Sequence, residues 1–386
     1  KESLASLQRG PMQADREYQR EPLPNLPRQP FFIPREYAVR YHLDPTYVGN
    51  PASNAVIRKF DNKNPQDLPI IVKKFYTDNI STDNVLLILR ELNMLRSMRH
   101  PNIVRVIDKY AIDDNDPPRT SQIPEQTCSI YHITVYCGLP LTDFINLGQY
   151  DMPLAKSWTS QLLSALLYIH ALGICHRDLR PENMCISPTD KKLTLLGFKE
   201  SRVLHDENNT QQRGNEYYRA LEMRLTMKKT YNEKVDIWSM AVILCELLTG
   251  RVLFSRRNVL EGMVNICGPV DDVVLNRMTL IADRDGMERR GAGKVRQEMR
   301  EVLRRSVNGQ RVIRPEDIDD EPDLNDFLDF TLVYNPDDRL SADRALCHPF
   351  LYAGELPVER RAITDEKREE VRRRALLEAI LEEIRA

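Results

Sequence analysis

Between Val235 and Leu248 the chain is apolar on nearly every side of any helix it forms. Such a helix has no face to offer water, so other elements must wrap it, and it predicts the centre of a large core. Gly250 supplies the expected stop. The longest uninterrupted apolar run, Met240 to Cys245, is too short to span a bilayer and has charges close by, so no membrane insertion is expected. A chain of 386 residues can surround such a core with about two or three folding units.

What surrounds the core changes character along the chain. Residues 44–137 mix short β-branched runs with one helix. Ile70 to Lys73 and Ile130 to Val135 read as strands. From Asp83 to Met98, Leu87, Leu92, Leu95 and Met98 repeat at helical spacing until His100-Pro101-Asn102 ends the segment. Residues 141–353 read as mainly helical. Pro153 suits a first turn, and Trp158, Leu162, Leu166 and Ile169 form one stripe ending before Gly173. A sheet-plus-helix block followed by a helical block predicts an α+β protein with a small and a large lobe.

The two ends differ from this body. Residues 1–35 carry Pro22, Pro24, Pro27, Pro30 and Pro34, a composition that favours an extended arm over a core. Residues 364–385 read as a helix capped by Thr364 or Asp365, with Leu377, Ile380, Leu381 and Ile384 on one face. That face either packs on its own domain or receives a partner. The charged stretch 283–322 reads as exposed helices and loops. The expected organisation is an arm (1–35), a small lobe (36–137), a large lobe (138–353) and a tail (354–386).

With 55 basic against 57 acidic residues there is no overall field to attract nucleic acid or anionic membrane. The seven cysteines are scattered without a C-x-x-C pair, which reads as free thiols rather than zinc sites or disulfides. No charged-then-apolar leader opens the sequence, so the expected compartment is the cytoplasm, with nuclear entry left open.

The chemistry concentrates in His176-Arg177-Asp178-Leu179-Arg180-Pro181-Glu182-Asn183. Upstream, Lys73 lies in a predicted strand and Glu91 in the helix after it. Arg90-Glu91-Leu92, His100-Pro101-Asn102, Tyr218 to Glu222, Val235 to Ser239, Leu247 to Arg251 and Asp338-Arg339 follow in order. On these motifs, from about Ile33 to Leu351, the chain resembles the MAP kinase family, and within it the stress-activated branch.

The resemblance implies a bilobal kinase fold with named roles. Lys73 would hold the α/β-phosphates and Glu91 would pair with it, while Thr134 stands at the gatekeeper before a hinge at 135–138. Asp178 would accept the substrate proton, Asn183 would hold one Mg²⁺, and Arg180 completes the retained loop. Phe198 would stack with Leu95, Val106 and His176; Glu222 would pair with Arg339; Asp236 would brace the catalytic loop. Arg90, Arg177 and Arg202 match a pocket for phosphorylated Thr210, which would order the segment that follows.

Several positions depart from that pattern. Gly49 remains in the phosphate-covering loop, but Pro51 and Asn54 take the places of the next two glycines. Ile71 stands where a small residue faces adenine, and Pro140 where an acid reaches the ribose. Gly197 replaces the metal-binding Asp, with Lys199 two residues on and Glu200 placed to swing in as a substitute ligand. The segment Thr210-Gln211-Gln212 lacks the second phosphorylated residue, and Glu216 reverses the charge of the Arg that would receive it. Asn215 replaces a Thr that contacts the catalytic Asp, so proline-directed substrate choice does not carry over. Residues 354–361 do not match the family's acidic docking cluster.

The expectation is therefore a MAP-kinase-like pseudokinase with no cofactor. Other proteins would be held through the large lobe, the Pro-rich arm and the C-terminal helix. A low-activity Ser/Thr kinase using ATP and Mg²⁺ is the alternative, and a structural subunit of a larger assembly is the third reading.

Overall fold

The structure is a computed structural model that describes residues 35–48, 55–64, 68–76, 82–113, 128–148, 150–204, 214–225, 231–254, 259–270, 274, 303 and 313–351. Gly49, Pro51, Asn54, Thr210, the arm up to residue 34 and the tail from 352 lie outside the described residues. The chain divides into two units, Lys1–Arg40 and Tyr41–Ala386. In the first, helix α1 (Arg35–Arg40) is the described part.

The second unit opens with a five-stranded antiparallel sheet. Its strands are β1 (Tyr41–Val48), β2 (Ala55–Asn62), β3 (Ile70–Tyr76), β4 (Val106–Asp113) and β5 (Cys128–Val135), in the order β1-β2-β3-β5-β4. Helix α2 (Thr82–Ser97) lies between β3 and β4 in sequence, within one residue of the span its periodicity predicts. Alternation along β3 sorts its side chains by face. Ile70, Val72 and Lys74 are buried inside the lobe, while Ile71 and Lys73 point to the other, partly open face.

The rest is largely helical, with small sheets along its upper edge. Strand β6 (Leu139–Pro140) pairs with β8 (Met184–Ile186), which pairs with β9 (Leu193–Leu195). Strand β7 (Ile174–Cys175) pairs with β10 (Arg202–Val203). Helices α3 (Leu141–Leu147) and α4 (Met152–Ala171) precede β7. Asp151 caps α4 by accepting from Leu154 N at 3.0 Å, and Pro153 sits in the first turn, where its missing N–H costs nothing.

Helix α5 (Leu221–Leu225) leads into α6 (Lys234–Thr249), whose residues from Val235 onward are all buried. Gly250 closes it in a left-handed cap, φ 70°. Helices α7 (Val259–Cys267), α8 (Pro315–Asp319), α9 (Leu324–Thr331) and α10 (Ala342–Leu346) complete the described helices. One apolar cluster runs from Leu95 and Val106 in the small lobe through Phe198 to Trp238 and Leu248 on α6. Each fully buried large side chain contributes about 1.5–3 kcal/mol of burial free energy, so this continuous core ties the lobes together. The fold is the α+β bilobal arrangement expected. Among the described residues no helix is long and apolar enough to cross a membrane, and Cys137, Cys175, Cys185, Cys245, Cys267 and Cys347 are free thiols.

Candidate active site

Asp236 on α6 organises the loop that carries the chemistry. Its carboxylate accepts from His176 N at 2.8 Å and Arg177 N at 2.9 Å, and lies 2.9 Å from His170 Nε2. Burial pushes this carboxyl up, but the His170 bond, the nearby imidazoles and the Arg177 amide together hold it below the ordinary Asp range. The two amides also fix Arg177 at φ 66°, a left-handed conformation that a non-glycine residue keeps only when its surroundings over-determine it. His176 then turns its ring under Phe198, edge-on at 4.7 Å, with Nε2 2.9 Å from Leu196 O.

Beyond that brace, Asp178 is held at both oxygens. Oδ1 accepts from Asn215 N at 3.1 Å and Oδ2 from Asn183 Nδ2 at 2.9 Å, with Arg180 Nε 3.7 Å from Oδ2. Asn183 Nδ2 also donates to Asp178 O at 2.7 Å. The position of this amide follows from Gly197. A Cβ built on Gly197 would stand 2.5 Å from Asn183 Cγ and Oδ1 and 2.8 Å from Nδ2. The Asn183 side chain thus occupies the space into which any side chain at 197 would project. From this place the amide makes its two bonds to Asp178. Among the described residues no cluster of three or more His, Cys, Asp or Glu side chains is arranged to hold a metal ion.

At the nucleoside end, Ile71 pairs across the sheet with Thr134 and shares the open face of β3 with Lys73. Its branched side chain therefore borders the cleft. Pro140 pairs with Cys185 below the hinge. Lys73 has no ion pair among the described residues, and its ammonium lies 4.6 Å from the centroid of the Phe75 ring. Burial lowers its pKa, Glu91 opposes that shift and Lys199 reinforces it. Lys73 and Glu91 thus interact at a distance, and the direct bridge implied by the resemblance is open.

The matched families agree with this geometry. A model of the protein kinase domain matches residues 48–351. The chain belongs to the protein kinase domain family. Mitogen-activated protein kinase 14 of Xenopus laevis is 28% identical over 310 residues, 79% of this chain and 78% of the relative. Mitogen-activated protein kinase mpkC of Emericella nidulans is 28% identical over 300 residues, 77% of this chain and 65% of the relative. Protein kinase gsk3 of Schizosaccharomyces pombe is 32% identical over 266 residues, 68% of this chain and 63% of the relative. The chain thus spans less than two thirds of the length of the latter two. The glycogen synthase kinase relatives stand beside the MAP kinases that the motifs pointed to.

Elsewhere in the kinase domain, a buried pair anchors α5. Arg339 Nη1 and Nη2 donate to Glu222 Oε1 and Oε2 at 2.7 and 3.2 Å. The same guanidinium donates to the carbonyls of Lys234, Val333 and Tyr334 and lies over the Trp238 ring. Of the three arginines matched to a phosphothreonine pocket, Arg177 and Arg202 both act electrostatically on Tyr231, and Arg177 also donates to Glu200 O at 2.7 Å. Arg90 lies exposed on α2.

Two side chains in or beside the site were not singled out from sequence. His132 pairs with Lys73 across β3–β5 and is the neighbour of Thr134 on one strand face. It is buried, its Nε2 has no hydrogen-bond partner among the described residues, and burial followed by the Lys73 charge pushes its pKa down to about 3. A polar residue two positions before Thr134 on an otherwise apolar strand face was the available signal. The second is Arg224 on α5, whose sequence neighbours give no hint that its guanidinium is half-buried.

Proposed function

We propose that this kinase domain is a MAP-kinase-like pseudokinase that works by binding other proteins, its phosphoryl transfer lost or severely impaired. The observation that carries the reading is the Asn183 amide standing where a side chain at Gly197 would point. Mg²⁺ neutralises the β- and γ-phosphate oxygens in this chemistry, and it needs ligands free to turn toward it. Here one ligand is absent and the amide nitrogen of the other is committed to Asp178, itself engaged at both oxygens, so of the usual ligand pair only the Asn183 Oδ1 is left for a metal. These residues do not fit a magnesium-loaded triphosphate. Ile71 at the adenine face, Pro140 at the ribose and the open Lys73–Glu91 bridge point the same way at three further places.

What persists serves packing and hydrogen bonding, as a binding scaffold requires. The large lobe is the described surface available to partners, and the arm and C-terminal helix are further candidates in the sequence. A thermal-shift titration of the full chain with ATP and Mg²⁺ tests the reading, because a ligand bound to the native state must raise stability. No shift is expected, and no transfer of radiolabelled γ-phosphate above an Asp178→Ala control. A Mg²⁺-dependent shift with transfer that Asp178→Ala abolishes would instead establish a low-activity Ser/Thr kinase using Lys73, Asp178 and Asn183.

A further inference from the structure

We propose that Phe75 is a clasp for Lys73: its ring takes the ammonium in place of Glu91 and so holds the small lobe with its lysine–glutamate bridge open. The inference goes beyond the scaffold reading and is independent of it, because such a clasp would act in a catalytic and an inert domain alike.

The register of the sheet brings the parts together. Side chains alternate along a strand, so Ile71, Lys73 and Phe75 share one face of β3. Across the ladder they stand opposite Thr134, His132 and Ile130 of β5. At the end of this row Phe75 is buried against Ile130 and against Ile88 and Leu92 of α2. The ring is therefore wedged between the sheet and the helix. Two residues away, the Lys73 ammonium lies 4.6 Å from the ring centroid, inside the roughly 6 Å at which an aromatic face attracts a cation.

The other candidate partners leave the ammonium to the ring. Glu91 adjoins Leu92 and follows Ile88 by three residues, so it flanks the ridge of α2 that packs on Phe75. Although α2 offers its carboxylate from there, neither Lys73 nor Glu91 forms an ion pair among the described residues. His132 stands directly opposite Lys73, yet its Nε2 has no hydrogen-bond partner among the described residues. Lys199 acts on Lys73 as a like charge, and it belongs to the turn Phe198–Glu200 that packs against α2. Movement toward the helix therefore carries the ammonium toward a second cation. A cation–π contact in a desolvated place biases a side chain by about five- to thirtyfold, enough to choose between two positions within one cleft. Because the ring is held by α2, the position of Lys73 follows the packing of that helix rather than a bound anion.

The test is zero-length carbodiimide cross-linking of the full chain, with the Lys73–Glu91 peptide quantified by mass spectrometry against an isotope-labelled standard. This reagent joins an amine to a carboxylate only where the two can meet. Phe75→Leu and Phe75→Met keep an apolar side chain under α2 but remove the ring, and each should raise the cross-link at least about fivefold. Phe75→Tyr keeps the aromatic face and should stay within about twofold of the wild type. Ile88→Ala loosens the same cluster with the ring intact and should not raise the yield. A wild-type yield as high as that of Phe75→Leu, no rise in either aliphatic variant, or a Phe75→Tyr protein that behaves like Phe75→Leu overturns the clasp. So does a rise that follows the melting temperatures of the five proteins rather than the presence of a ring, since that is lost packing alone. The assay uses no nucleotide, so its failure leaves the ATP and Mg²⁺ titration untouched.

Discussion

Restoring the missing carboxylate should damage the domain rather than repair it. In a Gly197→Asp variant the new Cβ would stand 2.5 Å from Asn183 Cγ, well inside van der Waals contact, so the amide must rotate away. Rotation breaks its bond to Asp178 O, a loss of about 0.5–1.5 kcal/mol, and its bond to the Asp178 carboxylate, about 1.5–3 kcal/mol. Holding a side-chain-bearing residue at φ +80° adds about 1 kcal/mol. The sum is a destabilisation of about 3–5.5 kcal/mol before any repulsion between the new carboxylate and Asp178.

Urea unfolding followed by tryptophan fluorescence measures this cost directly. The assigned cause also predicts coupling. Asn183→Ala removes the obstructing amide, so the double variant should cost at least about 1 kcal/mol less than the two single costs added. A Gly197→Asp protein within about 0.5 kcal/mol of the wild type, or additive single and double variants, would refute the collision on which this reasoning stands. Mg²⁺ that returned the variant to wild-type stability would do so too, since the site would then be a metal site lacking one ligand.

Arg339→Met should cost about 3–5 kcal/mol, because it removes the buried guanidinium that pairs with Glu222; adding Glu222→Gln should recover part of the loss in the same denaturation assay. His132 gives stability a pH slope. Its folded pKa of about 3 lies below its ordinary 6.5, so between those values the unfolded chain binds the extra proton. Stability is therefore complete above pH 6.5 and falls by about 1.4 kcal/mol for each pH unit below it, until pH nears the folded value. His132→Leu should flatten that slope while leaving the contribution of His100, whose pKa burial and Lys192 lower to about 4. An unchanged slope in the variant would place the His132 imidazole in a wetter site than the one described.

The elements that sequence located are those whose signals are local. Helix α6 betrays itself by having no polar face, and Gly250 marks its end because a left-handed cap favours glycine. Helix α2 follows from the spacing of Leu92, Leu95 and Met98 and from Pro101 just beyond it. The strands β3 and β5 extend past the apolar runs that announced them, to Tyr76 and back to Cys128, because ladder hydrogen bonding tolerates Lys74 and Ser129 where hydropathy does not. The site was legible only as identities. Gly197 showed a ligand missing, but where Asn183 goes in response depends on the distance between two loops that no periodicity encodes. The separation of Lys73 from Glu91 likewise depends on how α2 sits against the turn at Phe198–Glu200. Arg224 carries no sequence signal at all, since an unpaired guanidinium is defined by what three-dimensional packing fails to place next to it.

Retention of the catalytic residues follows from the same hydrogen bonds that argue against catalysis. Asp178 accepts from Asn183 and Asn215, Asn183 also bridges to the Asp178 carbonyl, and Asp236 holds the two amides that shape the loop. Replacing any one of them strands buried donors or acceptors at a cost of about 1–3 kcal/mol each. A carboxylate at 197 would stand beside this network rather than within it, so its absence strands none of these donors or acceptors. A domain drifting away from phosphoryl transfer can therefore lose that carboxylate first, while Asp178 and Asn183 stay fixed by each other.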